Sequence, residues 1–299
     1  MLSDNARLRG WDCGFLSKRD DEDAFMTAAR YADAVFNTID DAKTGGSASL
    51  RYFRWTQEIG IPFINSEKLL FVNHFGEIEP HLEDIGFTTI LGGASGMPNL
   101  ILEGRRKGIV SMKGIVNATL NFICWALSNG HSLKAAIVQA QNQGLCESGW
   151  TDPVGIINRE ITDALYKALI MRNLAGITPR IYPRDLKQNP LSEEQIRRFV
   201  VDRTGTRFIV TFDKSGRREG VLNGFSHFAM PWQLTGTFVP EAERSFPVTL
   251  PAGQKNCLVV NTEQGVLKPA RGIGAGPYHM ALAMFDDADN LLEKRMAAA

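Results

Sequence analysis

Asp163 and Lys167 stand four residues apart in ITDALYKALIMRNL, where apolar residues recur at helical spacing. Both side chains therefore project from one helical face, one turn from each other. A carboxylate and an amine so placed can grip a polar substrate. The same spacing also describes an ordinary surface ion pair, which stabilises a helix by only a few tenths of a kcal/mol, roughly 0.3–0.5. Upstream, GIVNATLNFI (residues 114–123) sets the short polar side chains of Asn117, Thr119 and Asn121 among apolar neighbours. Each can bind a ligand group, or serve as a helix cap or a satisfied polar group in a core. His74, His81, His131, His227 and His279 are scattered, and no Cys/His cluster has zinc spacing, so no metal site or catalytic triad is expected.

Composition limits the partners such a site can serve. Lys plus Arg and Asp plus Glu each number 33, so the net charge is zero and no overall positive field invites nucleic acid or an anionic membrane. No interleaved basic and aromatic stripe marks a nucleic-acid face either. A small molecule is the expected partner. Cys13, Cys124, Cys146 and Cys257 lie far apart with no Cys-x-x-Cys, which suits free thiols in a reducing cytoplasm. The N-terminus MLSDNARLRGWD lacks an apolar core, and no apolar run is long enough to span a bilayer.

The elements that must position these residues form two patterns. YADAVFNT (31–38) reads as a buried strand that ends before Gly45 and Gly46, SASLRYFRWTQEIG (47–60) as a helix stopped by Gly60, and IPFIN (61–65) as a second strand. Strand, helix and strand in this order predict a parallel βαβ unit. HFGEIEPHLEDIG (74–86) adds a helix or turn, and FTTILGG (87–93) a further strand. From Ile109 the pattern changes to a strand and then helices broken at Gly130 and Gly144. Ser192 and Gln195 predict a capping box. RFIVTFDKSGRREGVLNGF (207–225) reads as two strands around a turn at Asp213 to Gly216, followed by β-like runs at FPVTL and NCLVVN, while the tail EKRMAAA is expected to fray. A dinucleotide-binding domain normally opens on a strand and Gly-x-Gly-x-x-Gly. Only Gly10 and Gly14 occur in the first forty residues, and no apolar strand precedes them.

Several motifs resemble those of the homoserine dehydrogenase family, in the same order. GIVNATLNFI is similar to Gly-Ile-x-Asn-Gly-Thr-x-Asn-Tyr/Phe-Ile, AQNQGLCE (140–147) to Ala-Gln-x-x-Gly-Tyr-x-Glu, and DALYK (163–167) to Asp-Ala-x-x-Lys. INSEK (64–68) resembles a strand-end motif closing in Asn-Lys, and GIGAG (272–276) a late Gly-x-Gly-Ala-Gly. The resemblance implies an α/β fold: an incomplete Rossmann-like parallel-sheet domain (1–108), an α+β substrate and dimerisation domain (109–270), and a C-terminal helix returning to the first domain (271–299). It implies interconversion of L-homoserine and L-aspartate 4-semialdehyde with NADP or NAD, by a homodimer built on the C-terminal sheet, where RFIVTF would otherwise leave an exposed edge.

Roles follow position by position. The resemblance makes Lys167 and Lys68 the proton-transfer groups, and gives Glu147 and Asp163 the substrate's ammonium and hydroxyl. Asn117 and Thr119 would bind substrate or the nicotinamide amide, and Lys68, Gly96, Gly274 and Gly276 would line the cofactor. A hydride leaves an alcohol carbon only as the hydroxyl proton is lost, so an amine beside that oxygen has a clear task. The chain also departs from the family pattern. Ala118 stands where glycine is usual, Glu67 replaces asparagine before Lys68, and Ala94 and Ser95 interrupt the glycine-rich GGASGMP. Ile90 occupies the place of a cation-binding carboxylate, and the segment from Glu147 to Asp163 is several residues longer. Without a glycine-rich phosphate turn, weak cofactor binding is expected. A non-redox homologue that keeps only the amino-acid pocket is the alternative reading.

Overall fold

The computed structural model of the chain describes residues 14, 22–146, 149, 151–202, 205–214, 224–229, 232–240 and 251–298. Two compact units emerge, residues 1–90 with 277–299, and residues 91–276.

In the first unit, α1 (Glu22–Ala29) precedes β1 (Val35–Asn37), α2 (Ser47–Ile59), β2 (Phe63–Asn65), α3 (Lys68–Asn73), α4 (Phe75–Ile78) and β3 (Ile85–Gly86). β1 pairs with β2 in parallel, Val35 opposite Phe63, and β2 pairs with β3 in parallel, Phe63 opposite Ile85. The βαβ unit expected from the sequence is therefore present. Helix α2 starts after Gly46, whose φ of 91° suits glycine, and a Cβ there would lie 2.6 Å from the Leu69 carbonyl carbon. It ends at Gly60 in the left-handed region. Its buried Tyr52 and Trp55 rings stack around Phe25 of α1 at 5.4 and 5.2 Å.

FTTILGG does not form the expected strand. The strand lies just before it, and residues 88–90 and 93–95 make 3₁₀ turns. The cause is a distant acceptor: the Thr88 amide and hydroxyl both donate to Asp287 Oδ2 at 2.9 Å, so the amide is withdrawn from any sheet ladder. Asp287 sits on the C-terminal helix Pro277–Ala298, which places Met284, Ala288 and Leu291 against Ile64. This helix runs on through the tail that was expected to fray.

The second unit begins with α5 (Met97–Arg106), β4 (Ile109–Ile115), α6 (Ala118–Ser128), α7 (Leu133–Asn142) and α8 (Pro153–Leu174). There follow β5 (Lys187–Gln188), α9 (Glu193–Ile196), β6 (Arg207–Asp213), β7 (Gly224–Ala229), β8 (Trp232–Val239), β9 (Lys255–Thr262), β10 (Gly265–Val266) and β11 (Ala270–Ile273). Their antiparallel sheet runs β10-β9-β4-β6-β8-β7-β5, with β11 also on β9. α6 and α8 pack against this sheet, and the Ser192–Gln195 capping box is present. Residues 91–108, given to the first domain on sequence grounds, fall in this unit because α5 packs on β9 and β4.

Two expectations for the sheet need correction. β6 and β7 both form, but they are not neighbours, since β8 lies between them with Phe208 opposite Phe238 and Phe225 opposite Gly236. β6, which carries RFIVTF, is also paired to β4 on its other side, so it is no exposed edge. Half of the expected turn, residues 215 and 216, and the whole of FPVTL lie outside the described residues. Among the described residues no helix is long and apolar enough to cross a membrane.

Candidate functional site

The site of the second unit grows from the junction of β4 and α6. β4 leaves the sheet at Ile115, and Asn117 takes an extended conformation (φ −116°, ψ 113°) as the N-cap of α6. Its Oδ1 accepts the Leu120 amide at 2.7 Å, a standard cap. This fixes the side-chain amide so that its Nδ2 faces α8. There it donates to Glu160 Oε2 at 2.8 Å and to Asp163 Oδ2 at 2.9 Å.

Asp163 Oδ2 also lies 2.7 Å from Lys167 Nζ. The side chains are only 21% and 12% exposed, so this is not an ordinary surface pair. Asp152 caps α8 by accepting the Val154 and Gly155 amides, and much of the helix beyond it is buried. The carboxylate and amine thus stand on a rigid support.

Glu160 was not among the residues singled out from the sequence. Its signal was spacing: three residues before Asp163 and seven before Lys167, it falls on the same helical stripe. Burial pushes its carboxyl pKa up and the Asp163 charge adds to this, while the Asn117 hydrogen bond, Lys167 and the Thr119 hydroxyl oppose it. Thr119 also donates to the Leu145 carbonyl at 2.7 Å, tying α6 to the segment that leads to Glu147. Glu147 itself lies outside the described residues. Asn121 has a different task, since its Nδ2 donates to the carbonyls of Pro251, Gly253 and Lys255 and anchors the entry to β9.

The expected cofactor residues are placed as follows. Lys68 belongs to the first unit, as the first residue of α3. It follows a tied-down strand end: Asn37 Nδ2 donates to Asn65 Oδ1 at 2.7 Å, Asn65 Nδ2 to the Glu67 carbonyl at 2.7 Å, and Glu67 caps α3 through the Leu70 amide. In the second unit, Gly96 (φ 71°) begins α5 with no side-chain cap and open space where a Cβ would be. The neighbouring Ser95 hydroxyl is buried with no hydrogen-bond partner among the described residues. Gly274 is a packing position, because a Cβ there would lie 2.1 Å from Asn256 Nδ2, an atom that donates to the Val116 carbonyl beside Asn117. Gly276 has a φ of 115° and stands immediately before the C-terminal helix.

A cavity of about 730 Å³ lies elsewhere on this unit, between the starts of α7, α8 and α9, and is not lined by Asn117, Glu160, Asp163 or Lys167. Among the described residues no group of three or more His, Cys, Asp or Glu side chains is arranged to hold a metal ion.

The fold, with its small parallel sheet and larger antiparallel sheet, resembles that of solved homoserine dehydrogenases. The structure of homoserine dehydrogenase from Thermoplasma acidophilum superposes with a TM-score of 0.66 at 19% identity, covering 98% of this chain and 83% of that one. The Thiobacillus denitrificans enzyme gives 0.67 at 20% identity, covering 98% and 64%. A hyperthermophilic archaeal homoserine dehydrogenase in complex with NADPH gives 0.63 at 18%, covering 98% and 82%. At these identities the likeness establishes the fold. The family is fixed by sequence: the homoserine dehydrogenase model matches residues 97–288, and the chain belongs to that family. A homoserine dehydrogenase of Sulfurisphaera tokodaii is 28% identical over 147 residues, which are 47% of this chain and 46% of that protein. The match thus spans about half the length of the curated relative.

Proposed function

We propose that the chain is an oxidoreductase of the homoserine dehydrogenase type, interconverting L-homoserine and L-aspartate 4-semialdehyde with NADP or NAD. The observation that carries this reading is the half-buried Asp163–Lys167 pair held against the Asn117 cap. In the direction of alcohol oxidation, Lys167 receives the hydroxyl proton or steadies the charge developing on the oxygen, and in reverse it returns the proton. Asp163 orients that amine and offers its remaining lone pairs to the substrate, a role the resemblance gives also to Glu147. The nicotinamide cofactor, when bound, accepts or supplies the hydride. The unpartnered Ser95 hydroxyl and the open, uncapped start of α5 at Gly96 fit its polar groups, and the relative solved with NADPH supports a nicotinamide cofactor.

The non-redox alternative rests on the missing glycine-rich turn alone, and the family match and the relative solved with NADPH do not favour it. The reading extends to a homodimer built on the larger sheet, and to a reducing cytoplasmic setting consistent with the buried free thiol of Cys257. The deciding experiment follows NADPH and NADH absorbance with L-aspartate 4-semialdehyde, comparing the wild type with Lys167→Ala. Turnover abolished by the substitution supports the assignment. Turnover that survives it unchanged, or no turnover in the wild type with either cofactor, removes it. Sedimentation at micromolar concentration should give a dimer, and a monomer would count against the assembly.

A further inference from the structure

Asn256 is fully buried on β9, yet half of its amide is unused. Its Nδ2 donates to the Val116 carbonyl at 3.3 Å, while its Oδ1 has no hydrogen-bond partner among the described residues. An orphaned acceptor in a core is costly, so an apolar side chain would serve the sheet better. The neighbours show what the amide holds together. On one side, Val116 immediately precedes the Asn117 cap. On the other, β11 pairs with β9, Gly272 opposite Asn256, and Gly274 lies so near that a Cβ there would stand 2.1 Å from Nδ2. The same stretch touches the loop before α5, because a Cβ on Gly272 would lie 2.7 Å from Ser95 Cα. Contacts therefore run without a break from Ser95 through residues 272–274 and Asn256 to Val116, and on through Asn117 to Asp163 and Lys167. Every link belongs to the second unit.

Building on the function proposed above, we propose that Asn256 is a positioning residue for hydride transfer, its amide setting the spacing between the Ser95–Gly96 loop, which serves the cofactor, and the Asn117 cap, which holds Asp163 and Lys167. Glycine at 274 is what permits this, since a side chain there would push the amide off the Val116 carbonyl. Asn256 acts through Val116 and Gly274 and needs no contact with the substrate. Its effect therefore falls on the rate of the chemical step and not on substrate affinity, and a displacement of about 1 Å between the two ends is enough to slow that step by about 10- to 100-fold.

The test is single-turnover oxidation of NADPH or NADH by saturating L-aspartate 4-semialdehyde, with the full chain in excess over cofactor, in the wild type and in Asn256→Ala. The rate constant should fall by about 10- to 100-fold at unchanged amplitude, with the steady-state KM for the semialdehyde within about threefold of the wild type. A merely structural role would lower the amplitude, through loss of folded chain, and leave the rate constant alone. Gly274→Ala displaces the same amide from the other strand and should slow the step in the same way. The double variant should be no slower than the slower single, because both remove one contact. An unchanged rate constant, a loss of amplitude alone, a change confined to KM, or additive losses in the double variant overturns the assignment while leaving the proposed function standing. An Asn256→Ala chain that does not fold assigns the amide to the fold and overturns it too, and if only Gly274→Ala fails to fold, Asn256→Ala decides alone. A wild type that turns over neither cofactor overturns both.

Discussion

Replacing Asp287 by asparagine should stabilise the first unit at neutral pH, although it removes a carboxylate that accepts two hydrogen bonds. Asp287 is 8% exposed, and its Oδ2 accepts from the Thr88 amide and hydroxyl at 2.9 Å. Burial outweighs those bonds and, with Asp286 adding in the same direction, raises the carboxyl pKa from 3.8 to about 6. A rise of about 2 units corresponds to roughly 3 kcal/mol, at about 1.4 kcal/mol per unit. The folded chain thus holds this proton more tightly than the unfolded chain. The stability it contributes is complete below about pH 4, declines as pH rises through about 6, and is absent at pH 7.5. Asparagine keeps a carbonyl oxygen for both donors and has no charge to desolvate. Allowing for the weaker neutral hydrogen bonds, Asp287→Asn should gain about 1–2 kcal/mol at pH 7.5 and nothing at pH 4. Urea unfolding followed by circular dichroism between these pH values reads the difference directly. A flat difference between variant and wild type, or a less stable variant at pH 7.5, would refute the reasoning.

Other perturbations separate chemistry from support. Lys167→Ala should lower kcat by about 10²- to 10⁴-fold, the usual worth of a positioned proton-transfer group, with an unfolding midpoint close to that of the wild type. Gly46→Ala should do the opposite, destabilising the first unit by about 2 kcal/mol or more, because its φ is 91° and the new methyl would meet the Leu69–Leu70 backbone at 2.6–2.8 Å. Thermal melting is the measurement, and an unshifted transition would show that the α2–α3 contact is looser than described.

Legibility in the sequence followed the range of the forces involved. The βαβ unit was readable because apolar periodicity and the stops at Gly45, Gly46 and Gly60 act locally. The insertion of β8 between β6 and β7 was not, since it is decided by pairing that local pattern does not encode. FTTILGG misleads for a related reason. Its composition is strand-like, but the acceptor that claims the Thr88 amide lies 199 residues away. Within the site, Asp163 and Lys167 were visible as a pair, whereas their burial was not. For Asn117 the two readings, helix cap and ligand of the site, were treated as alternatives. The structure uses the carbonyl oxygen for the first and turns the amide nitrogen toward the site carboxylates.

That division within one side chain explains how α8 can present two carboxylates with different partners. On a helix, a carboxylate four residues before a lysine reaches it within one turn, while one seven residues before is about two turns away. Lys167 accordingly pairs with Asp163 at 2.7 Å. The Asn117 amide, fixed by its cap, draws both carboxylates to one point without neutralising either, since an amide donates hydrogen bonds but carries no charge. Under the proposed function the amine so held is the group that exchanges a proton with the substrate hydroxyl, and the kcat of Lys167→Ala reads that role apart from the support that Asn117 gives.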